Sequence, residues 1–293
     1  MNQPSEVCTL ATIFVTVAFS AIAFARPDLE DRFIFDPQRI LAGKQYYRLV
    51  TSGFLHADWR HLGLNMISLY FFGPVLEVLL GSDQFLAIYL GSIIGGDLLS
   101  LYVHRHHEYR SYGASGGVCG LIFAHILLWP GGSIGFFMLP VAIPGWLYAI
   151  LFMVGSFYAM KAGKDNVGHD AHLGGAIVGL LITAALQPWA VRQNWQIFLL
   201  VLGAAVALLI YLWVNPLMFD TGGWRLPVRS EKARRSQLPQ YKREEMELDA
   251  VLEKVATQGM DSLDEEELAR LRAASDKYQR RSQSGKPQSG LAI

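Results

Sequence analysis

Seven stretches of this chain are apolar over most of the length a helix needs to cross a bilayer, and no other feature limits its fold so severely. They cover residues 7–25, 61–80, 84–104, 115–130, 143–161, 169–188 and 196–214. A spanning helix takes about 20 mostly apolar residues, because its backbone groups find no water to bond in the hydrocarbon core. Composition agrees with a lipid solvent: 52% of the residues are apolar and only 17% charged, too oily for an ordinary soluble domain. The fourth run is short and ends at Pro130-Gly131-Gly132, so it is expected to begin below the membrane surface, at the foot of a water-filled depression.

The zero net charge conceals a division, since Lys, Arg and Glu crowd residues 225–281. The expected architecture is all-α: a polytopic membrane helix bundle over 1–214, a basic linker over 215–243, a soluble helical hairpin over 244–281 and a disordered tail over 282–293. In the hairpin, Leu248, Val251, Leu252 and Val255 share a face. Ser262 with Glu265 reads as a capping box opening the second helix. The competing reading of this region is a solvated tail with transient helix, and its partner is unspecified. The N-terminus lacks a basic n-region and a small-residue cleavage site, so the first run reads as a retained anchor. Cys8 and Cys119 lie in apolar runs and form no disulfide framework. The connection 26–60 is too polar to span, and it carries aromatics suited to the lipid interface, among them Phe33, Tyr47 and Trp59. It reads as a lateral, partly embedded loop.

Ionisable groups at membrane depth are costly and mark places where groups pair or do chemistry. His61 and Asn65 are one turn apart on one helix face, able to donate to a common point. His56 lies just before them, placed to orient or extend the cluster. Gly113-Ala114-Ser115-Gly116-Gly117 sets a serine at a helix start, where the first amides have no intrahelical acceptor and suit a developing oxyanion. The same small residues also fit plain close helix packing, with Gly116 and Gly120 at four-residue spacing. In the sixth run His172 is followed by Gly175 and Gly179 on its own face. A close approach there would bring its imidazole to the hydroxyl of Ser115. Asp97 and His125 carry no catalytic assignment and are expected to pair within the bundle. His104, His106 and His107 read as an interfacial loop. No metal or organic cofactor is suggested, and nothing points to nucleic acid.

These residues resemble the rhomboid family of intramembrane serine proteases across roughly residues 40–190. His61 and Asn65 match its histidine-three-residues-asparagine motif, and Gly113, Ser115 and Gly116 its glycine-any-serine-glycine motif. Ala171, His172, Gly175 and Gly179 match its alanine-histidine-glycine-glycine motif, and Tyr47-Arg48 precedes Phe54-Leu55-His56. The resemblance implies a six-helix core, here with a seventh transmembrane helix, and a Ser115–His172 dyad without an acidic third member. It further implies an oxyanion hole made by His61, Asn65 and the Ser115 backbone N–H, with Gly113, Gly116, Gly175, Gly179 and His56 in support. The implied substrates are single-pass membrane proteins, cut near one end of their helix. Two positions depart from the family: Tyr47 stands where most members carry tryptophan, and Cys119 where many active members stack a tyrosine on the catalytic histidine. The C-terminal hairpin resembles a tail of some bacterial rhomboids, and the expected location is a multi-pass position in a cell membrane, the bacterial inner membrane. The alternatives are a catalytically silent client-binding protein of the same shape and, more distantly, a small-solute transporter, which the lack of an internal repeat disfavours.

Basic residues fall on the loops beside the expected site (Arg26, Arg32, Arg39, Lys44, Arg105, Arg110, Lys161, Lys164) and only Arg192 on the opposite side. The positive-inside rule therefore expects the site and the tail in the cytoplasm, whereas many bacterial rhomboids are oriented the other way.

Overall fold

The computed structural model describes residues 6–106, 108–136, 139–162 and 167–215, together with Val251, Lys254, Val255, 262–264, 267–269 and Leu271 in the C-terminal region. The chain divides into two compact units, 1–226 and 227–293.

In the first unit the helices follow the apolar runs: α1 (Val7–Ala25), α5 (Trp59–Leu80), α6 (Ser82–His104), α7 (Ser115–Leu128), α8 (Gly145–Ala162), α9 (His169–Leu186) and α11 (Trp195–Val214). Six of them are long and apolar enough to cross a membrane. Helix α7, with 14 residues, rises about 21 Å and falls short of the roughly 30 Å core. Short helices α2 (Pro27–Phe33), α3 (Pro37–Leu41) and α4 (Arg48–Thr51) fold the connection after α1, and α10 (Pro188–Gln193) joins α9 to α11. This is the polytopic helical bundle expected. One element was not anticipated: the segment after α7 forms an antiparallel ribbon, β1 (Ser133–Phe136) and β2 (Leu139–Pro144). Its short apolar run reads equally as strand or helix by composition, and Pro144 at its end forbids helix continuation.

Lipid as solvent inverts the usual helix pattern. The buried face of α1 is Thr9, Thr12, Thr16, Ser20 and Ala23, while Phe14, Val15 and Ile22 face outward. Small and weakly polar residues pack where apolar side chains gain nothing by leaving lipid. The Thr12 and Thr16 hydroxyls return to the helix, donating to the carbonyls of Cys8 and Thr12 at 2.7 Å. Thr9 fits against Gly73 of α5, where an added Cβ would come within 2.6 Å of it. Buried Glu77 caps α1 from α5, its carboxylate accepting from the Cys8 and Thr9 amides at 2.9 and 2.7 Å and from the Thr9 hydroxyl at 2.7 Å. Negative charge at a helix N-terminus answers both the free amides and the dipole.

Helix α9 is wedged between α6 and α7 along a seam of glycines. A Cβ on Gly179 would lie 2.3 Å from the Gly120 Cα, and one on Gly175 would lie 2.2 Å from the Gly116 carbonyl oxygen. On the other flank, Gly91 meets Ile182 and Gly95 meets Val178. These pairings run with the sequence between α7 and α9 and against it between α6 and α9. The starts of α7 and α9 therefore share one side of the bundle with the end of α6.

In the C-terminal unit Lys254 Nζ reaches Glu267 at 2.6 Å. The capping box there is Asp264 with Glu267, each donating its amide to the other's carboxylate at 2.9 and 2.8 Å. The expected Ser262–Glu265 pair involves Glu265, which lies outside the described residues. The expected linker 215–243, most of the hairpin 244–281 and the tail 282–293 lie outside the described residues.

Candidate active site

Ser115 opens α7, with Ala114 at the N-cap. The chain entering it is pinned residue by residue. The Gly113 amide donates to the Ser52 carbonyl at 3.1 Å, and the Ala114 amide donates to His56 Nε2 at 3.3 Å. The next amides, those of Ser115 and Gly116, begin the helix with no intrahelical acceptor behind them. Gly113 has φ 142°, a conformation that L side chains rarely adopt. A Cβ there would also lie 3.1 Å from His61 Nε2 and 3.5 Å from Ser115 Oγ. Glycine at 113 thus lets the His61 ring and the Ser115 hydroxyl converge on one small space.

His61 and Asn65 stand one turn apart at the start of α5, whose N-cap Asp58 accepts the His61 amide at 2.8 Å. That bond holds the Asp58 carboxyl below its usual range. Asn65 donates one amide hydrogen to the His61 carbonyl at 3.0 Å and keeps its second for another acceptor. His56 packs edge-on to His61, with ring centroids 5.0 Å apart. Burial, and then the neighbouring His61, lower its pKa to about 3, so it is a neutral ring. Because its Nε2 accepts from Ala114, its Nδ1 carries the hydrogen and donates to Ser20 Oγ at 3.0 Å. Ser20 passes its own hydrogen to the Phe54 carbonyl at 2.9 Å.

His172 lies in the first turn of α9, its amide donating to the Gly168 carbonyl at 3.0 Å and its ring edge-on to His169 at 5.9 Å. Gly175 sits backbone to backbone on Gly116, and the Ala171 carbonyl lies 3.4 Å from where a Cβ on Gly116 would be. Residues 171 and 175 bracket Gly116, so the turn carrying His172 is level with the turn carrying Ser115.

The Rhomboid domain family matches residues 43–189. The chain belongs to the rhomboid family. This rhomboid is 32% identical over 145 residues to the putative rhomboid protease YdcA of Bacillus subtilis, a match covering 49% of this chain and 68% of that one. It is 28% identical over 244 residues to the rhomboid protease AarA of Providencia stuartii, covering 70% and 81%. It is 31% identical over 137 residues to the mitochondrial Rhomboid protein 1 of Saccharomyces cerevisiae, covering 45% and 40%. The match to the yeast protein thus spans less than half of that protein's length.

Three buried groups beside the site went unread in the sequence. Ser20 lies on the α1 polar stripe, whose helical spacing was the available signal. Ser52 reaches Asp97 at 2.6 Å, the pairing expected of Asp97. Asp170 faces His104 at 3.0 Å. His104 is therefore no loop residue: it is the last residue of α6, where the expected run 84–104 also ends, and it is buried. His125 of α7 packs against Phe72 and Trp129, with ring centroids 5.5 and 4.9 Å away. Cys119 is buried one turn beyond Ser115.

Proposed function

We propose that this rhomboid is an intramembrane serine endopeptidase. The Ser115 hydroxyl attacks the scissile carbonyl while His172 takes its proton, and the imidazolium then delivers that proton to the leaving amine. Water, deprotonated by the same imidazole, resolves the acyl-enzyme and regenerates Ser115. The tetrahedral oxyanion is held by the Ser115 amide, the His61 ring and the free N–H of Asn65, donors worth about 3 kcal/mol each in hydrolases generally. The observation that carries the reading is the convergence at Gly113, where the His61 edge and the Ser115 hydroxyl meet at the start of α7.

The substrates are single-pass membrane proteins, cut near a helix end where the backbone can unwind, and the setting is a multi-pass position in a bacterial inner membrane. The excess of basic residues on the site side supports a cytoplasmic active site and tail. Reporter fusions after residues 110 and 240 test this, and extracytoplasmic signal at both refutes it.

Cys119 in place of the stacking tyrosine favours a second reading, a client-binding rhomboid without turnover. Labelling detergent-solubilised protein with a fluorophosphonate decides between them. The protease reading expects labelling of wild type and none of Ser115→Ala or His172→Ala. Unlabelled wild type that still retains a membrane client supports the second.

A further inference from the structure

Helix α6 carries a polar line, Asp97, Ser100 and His104, at positions i, i+3 and i+7 of one face. All three are buried, and polar groups at this depth persist where they are put to use. The line touches both arms of the site.

Towards the histidine arm, His104 Nε2 lies 3.0 Å from Asp170 Oδ2. Asp170 is two residues before His172, and two residues turn a helix about 200°. Asp170 therefore points away from the His172 face and anchors the opposite side of the same turn.

Towards the serine arm there are two ties. The Tyr109 ring lies flat on His104, with centroids 3.5 Å apart and planes 6° from parallel. Tyr109 begins the run into Ser115, and two residues on, Ser111 exchanges backbone bonds with Phe35 at 3.1 and 3.4 Å. At the other end of the line, Ser52 Oγ lies 2.6 Å from both the Arg48 carbonyl and Asp97 Oδ2. The Ser52 carbonyl in turn receives the Gly113 amide.

We propose that Asp170 and His104, with Tyr109 stacked on His104, are positioning residues that set the alignment of Ser115 and His172 from behind. Ser115 and His172 lie on separate helices, and this node links the lead-in to one with the first turn of the other. The inference rests on the protease reading.

The test is the saturation kinetics of fluorophosphonate labelling on the full chain in detergent, expressed per folded molecule from the circular dichroism melt. Asp170→Asn is expected to lower the maximal labelling rate on the order of tenfold to a hundredfold, the scale of a misplacement of about 1 Å, with the half-saturating probe concentration within about twofold. The paired variant Asp170→Asn/His104→Gln restores a neutral hydrogen bond and is expected to recover part of the rate. Tyr109→Leu, which leaves both polar partners in place, should show the same split at smaller size.

Unchanged maximal rates per folded molecule, whatever the melting temperature, overturn the proposal. So does loss of folded protein in the single variants with a wild-type rate in Tyr109→Leu. Wild type that is not labelled at Ser115 instead overturns the protease reading itself.

Discussion

Helix α9 and helix α11 both cross the bundle, yet they are held on opposite principles. Half of α9 is buried, against 17% of the most apolar stretch of α11. Between α9 and α7 the contacts are backbone on backbone, with glycine at each crossing. On α8 and α11, by contrast, Gly155 and Gly203 have nothing within 4 Å of an added Cβ. Close-packed interiors feel a single methylene, whereas a lipid-facing surface does not. The part of the molecule that carries Ser115, His172 and His61 is thus the part that tolerates no displacement. Helices α8 and α11 instead leave open space around Gly155 and Gly203.

Four substitutions or conditions probe that contrast, in falling order of effect. Gly179→Val drives a branched side chain into the Gly120 backbone, and overpacking of this kind costs about 3 kcal/mol or more. The melting temperature in detergent should drop sharply and labelling of Ser115 should disappear. A wild-type melt would break the contrast outright.

Acid is next. His56 is held neutral by burial, with a pKa near 3, whereas the unfolded chain titrates near 6.5. Between those values the unfolded state binds the extra proton, so stability is complete above about pH 6.5 and falls as the pH drops, by about 2 kcal/mol at pH 5. Denaturation of wild type and His56→Gln at pH 7 and pH 5 measures this, and the variant should lose the part of the slope that His56 contributes.

Glu77→Gln keeps the shape but removes the charge that caps α1, and hydrogen bonds to a charged group are worth about 1.5 kcal/mol or more. The loss should appear as a lower melting temperature with labelling per folded molecule unchanged, since Glu77 caps the α1 end opposite the one where Ser20 meets His56. On the loose side, Gly155→Ala and Gly203→Ala should change stability by less than about 0.5 kcal/mol. A large loss at either would show that α8 and α11 are locked after all.

Much of this was legible in the sequence, and the reasons are physical. The apolar runs set every long helix to within a few residues, because lipid leaves the backbone no other choice. The close approach at Gly175 and Gly179 follows from their spacing after His172, since i, i+3 and i+7 share a face. Side-chain partners across long sequence separations were not legible. Nothing near Ser20 announces that it holds His56, and Asp170 reads as an ordinary first-turn acid until α6 brings His104 against it. The β1–β2 ribbon was missed because a six-residue apolar strand and a helix end have similar composition.

The central claim is that the hydroxyl opening α7 and the imidazole in the first turn of α9 act as one unit. Mass-spectrometric localisation of the fluorophosphonate adduct tests it most directly. The account predicts a single adduct on the peptide containing Ser115, abolished in His172→Ala while the protein remains folded. An adduct on another serine, or one undiminished by His172→Ala, would contradict it.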